Sequence, residues 1–165
     1  MKAYLLIIIL FCSVLGISQE VTQGGTQGNN EFKINVGYAI AGLPEMTYEY
    51  IIDEGGAVGL SLAFSIDENI DFDFIAVPYY RLYFGKKRAA GFFIEANAGI
   101  FSDENDNNPG QNAIGFGPGL AVGGKFLTKS GWVAELVFGG GRNFVNQSVI
   151  SDVYPRLGIS LGKRF

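Results

Sequence analysis

The chain has 165 residues, 48% of them hydrophobic and only 17% charged, with a formal net charge of −4. That length fits one domain, the sparse charge is low for a water-facing surface, and the negative balance argues against nucleic acid, whose phosphates want clustered Lys and Arg. There is no histidine, which removes the commonest general base and transition-metal ligand, and the 24 glycines follow no Gly-X-Y period.

The first 18 residues read as an export signal. Lys2 supplies the positive end, an apolar run follows from Ala3 to Leu15, and Gly16 and Ser18 place small residues at a cleavage site. The run is shorter than the ~20 residues of a spanning helix, which disfavours an uncleaved anchor. Cys12, the only cysteine, follows Phe11 rather than a small residue, which argues against lipidation. Cleavage after Ser18 leaves no thiol, and with it no disulfide and no Cys nucleophile. Residues 19–31 are polar and Gly-rich, with little to bury, and read as a flexible periplasmic leader.

From Phe32 to Phe165 the pattern changes to alternation of period two, broken by turn-rich clusters. It predicts eight strands, over 32–41, 45–52, 57–66, 72–84, 91–101, 112–127, 131–141 and 152–165. Most are near the ~9–11 residues with which a tilted strand crosses a bilayer. The connections alternate in size. Those at 53–56, 85–90 and 128–130 are tight, whereas those at 67–71, 102–111 and 142–151 are long and polar; 42–44 alone on that side is short. A membrane barrel has this asymmetry, short periplasmic turns at one end and longer external loops at the other.

The two faces of each strand differ in kind. One set carries Val36, Tyr38 and Ile40, then Met46 and Tyr48, Leu60 and Phe64, Leu82, Ile94, Leu120, Leu136 and Ile159, with Lys163 as its only charge. The other is mostly Gly, Ser and Ala together with nearly all the strand charges. A soluble ligand-binding barrel of lipocalin type would turn the large apolar set inward, leaving a poorly soluble surface of small residues. A membrane barrel turns it to lipid, where a mid-depth charge costs ~2–4 kcal/mol, and fills a narrow lumen with the small and charged set. The expectation is therefore an all-β, eight-stranded antiparallel up-and-down transmembrane β-barrel. Phe32, Phe84, Phe92, Phe126, Trp132 and Phe165 gather at the tight-turn end of the apolar set, as an interfacial girdle would. Pro78 and Pro118 fall mid-strand, where a missing ladder donor predicts bulges or strand breaks.

With its eight predicted strands and the terminal segment Leu157-Gly-Ile-Ser-Leu-Gly-Lys-Arg-Phe165, the chain resembles the small outer-membrane barrels of the OmpA/OmpX type, the outer membrane protein beta-barrel domain group. The resemblance covers residues 32–165. It implies the outer membrane of a Gram-negative envelope as location and lipid as surroundings. It also implies that Leu157, Ile159, Leu161 and Phe165 form the signal read by the barrel-insertion machinery; Lys163 stands where an apolar residue is usual.

Lys33, Glu49, Arg81, Glu95, Lys125 and Glu135 all point to the lumen. Arg81 is expected opposite Glu95, and Lys125 diagonal to Glu135. Their structural reading is a salt-bridge plug; the functional one is a gated ion path or proton relay. In the loop 102–111, Asp103, Asn105 and Asn107 resemble the start of a calcium loop, but Asn108 replaces its glycine and Ile114 its closing glutamate, so no metal is expected. Triad catalysis lacks its histidine, and the runs at Gly115–Gly119 and Gly139–Gly141 do not open helices, which sets phosphate loops aside. The chain is read as a non-enzymatic barrel without a cofactor, structural or binding through its external loops. A narrow pore for ions or small solutes is the alternative.

Overall fold

The computed structural model describes residues 28–66, 72–104 and 111–165; the export signal and most of the leader lie outside them. Eight strands follow one another: β1 (Asn30–Asn35), β2 (Glu45–Ile51), β3 (Gly56–Phe64), β4 (Phe72–Phe84), β5 (Gly91–Glu104), β6 (Asn112–Leu127), β7 (Trp132–Arg142) and β8 (Val153–Arg164). Each pairs antiparallel with the next, and β8 returns to β1, which closes the barrel. The chain is thus all-β and up-and-down, with no helix long and apolar enough to cross a membrane among the described residues.

Local chemistry makes the tight turns. The Asp53 carboxylate accepts from Gly55 N at 2.8 Å and Gly56 N at 2.6 Å, an Asx turn that reverses the chain between β2 and β3. Between β4 and β5 the backbone turns through Ala89 at φ 42° and Gly91 at φ 100°; only Gly takes the latter without strain. This turn folds under the barrel, burying Ala89 and Ala90, and Ala89 N donates to Glu54 O across the floor.

Alternation sorts the side chains as a closed sheet requires. Leu60, Leu120 and Ile159 are 41%, 67% and 57% exposed, whereas Glu49 and Glu95 are 0% and Glu135 is 4% exposed. The large apolar set forms the outside and the charges the inside. The inward apolar residues pack at the two ends. Leu43, Ile75, Phe101, Ile150 and Tyr154 cluster toward the long loops, and Ile51, Tyr83, Phe93 and Val137 toward the tight turns. Inward glycines make room for these rings: a Cβ on Gly99 or Gly141 would come within 2.7 Å of Tyr154 ring atoms, and one on Gly115 within 2.9 Å of those of Phe101.

The first predicted strand is wrong over half its length. β1 begins at Asn30, inside the expected leader, because Glu31 finds inward partners, and it stops at Asn35. A short helix, α1 (Val36–Ile40), follows, with the Asn35 side chain accepting from Tyr38 N at 3.2 Å as its N-cap. Period two over 36–41 could not foresee that cap. Tyr38, expected outward, packs against the upper inner cluster instead.

Stopping β1 early leaves the upper half of β8 without a strand neighbour on that side, since the β1–β8 ladder ends at Asn35 opposite Ser160. The Asn35 amide fills in for the missing strand: it donates to Leu157 O at 3.0 Å and accepts from Ile159 N at 3.3 Å. An isolated upper β8 edge would otherwise expose backbone groups. Pro155 lies along this stretch of β8 and is paired with Gly140 of β7 on the other side.

The prolines of β4 and β6 do not make bulges. Pro78 stays in register with Leu60, and the β4–β5 ladder merely lapses between the Ala76–Ile100 and Tyr79–Asn97 pairs. Pro118 pairs with Ala98 on one side, while the β6–β7 ladder starts only at Gly119. A residue in an antiparallel strand directs its N–H to one neighbour only, so each proline costs pairing on one side. The register of β4 against β5 shifts elsewhere, between Phe72 and Phe74.

Candidate functional site

The lumen is where the chain concentrates unusual chemistry. Five cations, Lys33, Arg81, Lys125, Arg156 and Arg164, meet five carboxylates, Glu31, Glu45, Glu49, Glu95 and Glu135, all buried and joined by shared partners. The group is electrically neutral.

Glu49 of β2 is its hub. It accepts from Lys33 Nζ at 2.8 Å and Arg81 Nη1 at 2.8 Å, pairs closely with Lys125, and takes the Tyr79 and Tyr83 hydroxyls at 2.8 and 2.9 Å. Arg81 of β4 links three carboxylates. Its Nη1 reaches Glu49 and Glu135, each at 2.8 Å, and its Nε reaches Glu95 at 2.7 Å. The guanidinium lies between two rings, 4.3 Å from the centre of Tyr79 and 4.2 Å from that of Phe93, an arrangement that favours a delocalised cation over an ammonium. Its Nη2 has no hydrogen-bond partner among the described residues.

Register positions these groups. Arg81 stands directly opposite Glu95 in the β4–β5 ladder. Lys125 stands directly opposite Glu135, not diagonal to it, and their charged atoms are 3.9 Å apart because the Lys125 ammonium turns down to Glu31 at 2.7 Å and to Glu49. Lys33 reaches across the lumen from β1 to Glu135 of β7 at 2.8 Å. All six residues singled out in the sequence therefore meet in one network.

Four further members complete it, of which Arg156 and Arg164 already fall on the inward face by strand parity. Glu31, expected in the leader, binds Arg164 at 2.6 Å and Lys125. Arg164 also donates to Arg88 O and Ala89 O, each at 2.9 Å, tying the floor turn to the last strand. Arg156 joins Glu95 at 2.8 Å to Glu45 at 3.3 Å and extends the network upward. The parity of β2 and β8 already pointed Glu45, Arg156 and Arg164 inward; the partners they would find across the lumen were not legible.

Apolar clusters stopper this ionic core above and below. Chemically the arrangement holds fixed charge in place. Every carboxylate has a cation, so none is a spare base. Residues 105–110 of the acidic loop lie outside the described residues. Asp103 belongs to β5, where its carboxylate accepts from Ser151 N at 3.0 Å and fastens the loop before β8.

On the outside, Leu157, Ile159, Leu161 and Phe165 form one exposed apolar row along β8. Phe84, Phe92, Phe126, Trp132 and Phe165 ring the tight-turn end, Phe84 and Phe92 with centroids 6.1 Å apart. Lys163, the cation among them, donates to Ser130 O at 2.8 Å and lies 5.1 Å from the Trp132 ring. Comparison with protein-family models, with curated proteins and with solved structures finds no match for the chain.

Proposed function

We propose that the chain is an outer-membrane β-barrel of the OmpA/OmpX type in a Gram-negative envelope, exported by the signal peptide 1–18. Its role is non-enzymatic: structural, or binding through the external loops. The observation that carries this reading is the inverted distribution of polarity, an apolar belt outside and a neutral, paired ionic core inside. Water would reward the opposite arrangement, whereas hydrocarbon penalises exposed charge and exposed backbone alike. Closure of the sheet satisfies the backbone, and aromatic side chains at the tight-turn rim suit a headgroup interface.

In this reading the partners are membrane lipid and the barrel-insertion machinery, the latter engaging Leu157, Ile159, Leu161 and Phe165. The ionic core serves as a plug. Eight strands leave an interior that side chains fill, and apolar clusters bracket the charges. Two experiments test the proposal. The folded chain should leave membranes only with detergent and should migrate faster on gels before boiling than after. In liposomes it should not conduct; steady wild-type conductance would turn the reading to a narrow pore, and solubility without detergent would end it.

A further inference from the structure

At the tight-turn end positive charge gathers on one sector of the rim. Lys86 and Lys87 stand in the turn between β4 and β5, Lys129 in the turn between β6 and β7, and Lys163 near the end of β8. Two contacts draw these segments together. Lys87 Nζ donates to Leu127 O at the foot of β6 at 2.9 Å, and Lys163 Nζ donates to Ser130 O, beside Lys129, at 2.8 Å. None of the four makes an ion pair among the described residues. The exposed carboxylates Asp53 and Glu54 belong to the turn between β2 and β3, where Asp53 accepts from Gly55 N and Gly56 N and Glu54 is 3.9 Å from Arg88.

Lys163 is the informative member. It stands on the outward face of β8, directly opposite Trp132 of β7, with its ammonium 5.1 Å from the ring centre. The tight-turn ends of β6, β7 and β8 carry Phe126, Trp132 and Phe165 on that same face, 66%, 53% and 64% exposed. The charge of Lys163 is therefore presented beside the barrel wall and not beneath the turns. Three neighbouring strands end in bare rings, with unpaired ammonium groups at the turns that join them. That order complements an anion attached to hydrocarbon; a freely dissolved anion gains nothing from the rings.

We infer that this sector of the rim selects an anionic glycerophospholipid, of the phosphatidylglycerol class, from the leaflet around the tight turns, with Lys163 and Lys129 on its phosphate and Trp132 against the first part of its chains. The inference rests on the membrane reading proposed above, in which the tight turns face the periplasm, the side on which a Gram-negative outer membrane carries glycerophospholipid. Hydrocarbon contact alone selects nothing, because lipid covers the whole belt; the selection comes from net charge. A zwitterionic headgroup brings its own cation to the phosphate and leaves the lysines less to gain. Lys86 and Lys87 add attraction at longer range, within a Debye length of the headgroups.

Trp132 is the only tryptophan of the chain, so its fluorescence reports on this site alone. The test places the full folded barrel in phosphatidylcholine vesicles at low ionic strength and adds phosphatidylglycerol or phosphatidylcholine with the same brominated chains, which quench a neighbouring indole. The wild type should prefer the phosphatidylglycerol by at least about fivefold, the scale of one basic residue near an anionic lipid. Lys163→Gln should lower the preference by about that factor, Lys163→Arg should keep it, and Lys86→Gln, in the other turn, should lower it less. If Lys163→Gln lacks the heat-modifiable migration of a folded barrel, Lys129→Gln, exposed in its turn, carries the same comparison. Equal quenching of the wild type by the two lipids, or a preference unchanged in the folded glutamine variant, would overturn the inference and leave the membrane reading standing. Failure of the membrane reading looks different: neither brominated lipid would quench Trp132.

Discussion

Glu31 and Arg164 face each other across the seam that closes the barrel, paired in the β1–β8 ladder with Arg164 Nη2 2.6 Å from the Glu31 carboxylate. The first strand and the last are thereby joined by charge as well as by backbone, and Arg164 carries the link on to the floor turn through Arg88 O and Ala89 O. Breaking a buried pair by removing one partner typically costs about 3–5 kcal/mol, since the other charge is left uncompensated. Glu31→Ala should therefore lower the unfolding midpoint in denaturant markedly. Glu54→Ala is the contrast: Glu54 is 87% exposed and 3.9 Å from Arg88, and its loss should change stability by no more than about 1 kcal/mol. Equal effects of the two would deny the seam its ionic contribution.

Arg81 should be irreplaceable by lysine. One ammonium cannot reach Glu49, Glu95 and Glu135 while lying flat between Tyr79 and Phe93. Arg81→Lys should destabilise the barrel by roughly 2–4 kcal/mol, and Arg81→Ala by at least as much. The loss of the folded band on gels run at increasing temperature measures both. A lysine variant as heat-resistant as the wild type would show that net charge, not guanidinium geometry, holds the network.

Asn35→Ala removes the amide that stands in for a strand against β8. Leu157 O and Ile159 N then lose their partners, at about 1–3 kcal/mol for each group left unsatisfied. Hydrogen exchange should quicken at the Ile159 amide first and leave Val137 of β7 protected. Uniform acceleration around the barrel would mean that Asn35 supports global folding and not the seam.

Leu136 lies mid-strand on the outward face, 52% exposed. In a bilayer Leu136→Arg should cost about 2–4 kcal/mol, seen as slower insertion into vesicles and an earlier unfolding midpoint. In water the same change would be neutral or would improve solubility. Unimpaired insertion would argue against a lipid-facing belt.

Much of this architecture was written in periodicity. Strand parity separated Leu60 and Ile159 from Glu49 and Glu95, and the short connections at 53–56, 85–90 and 128–130 marked the tight end. Arg81 and Glu95 could be set opposite each other because one short turn counts the residues between them. Lys125 and Glu135, placed one step off, show how a single residue of register decides between a diagonal and a direct pair.

What the chain determined alone was local: alternation, since a strand turns successive side chains to opposite faces whatever surrounds it, and reversal, since Asx and glycine geometry needs no distant partner. Closure decided the rest. Lys33 meets Glu135, and Glu31 meets Arg164, only because the first and last strands adjoin. The end of β1 at Asn35, the helix after it and the inward turn of Tyr38 answer to groups on β8 more than a hundred residues away. No spacing along the chain encodes such distances, because they come into being when the sheet curls back on itself.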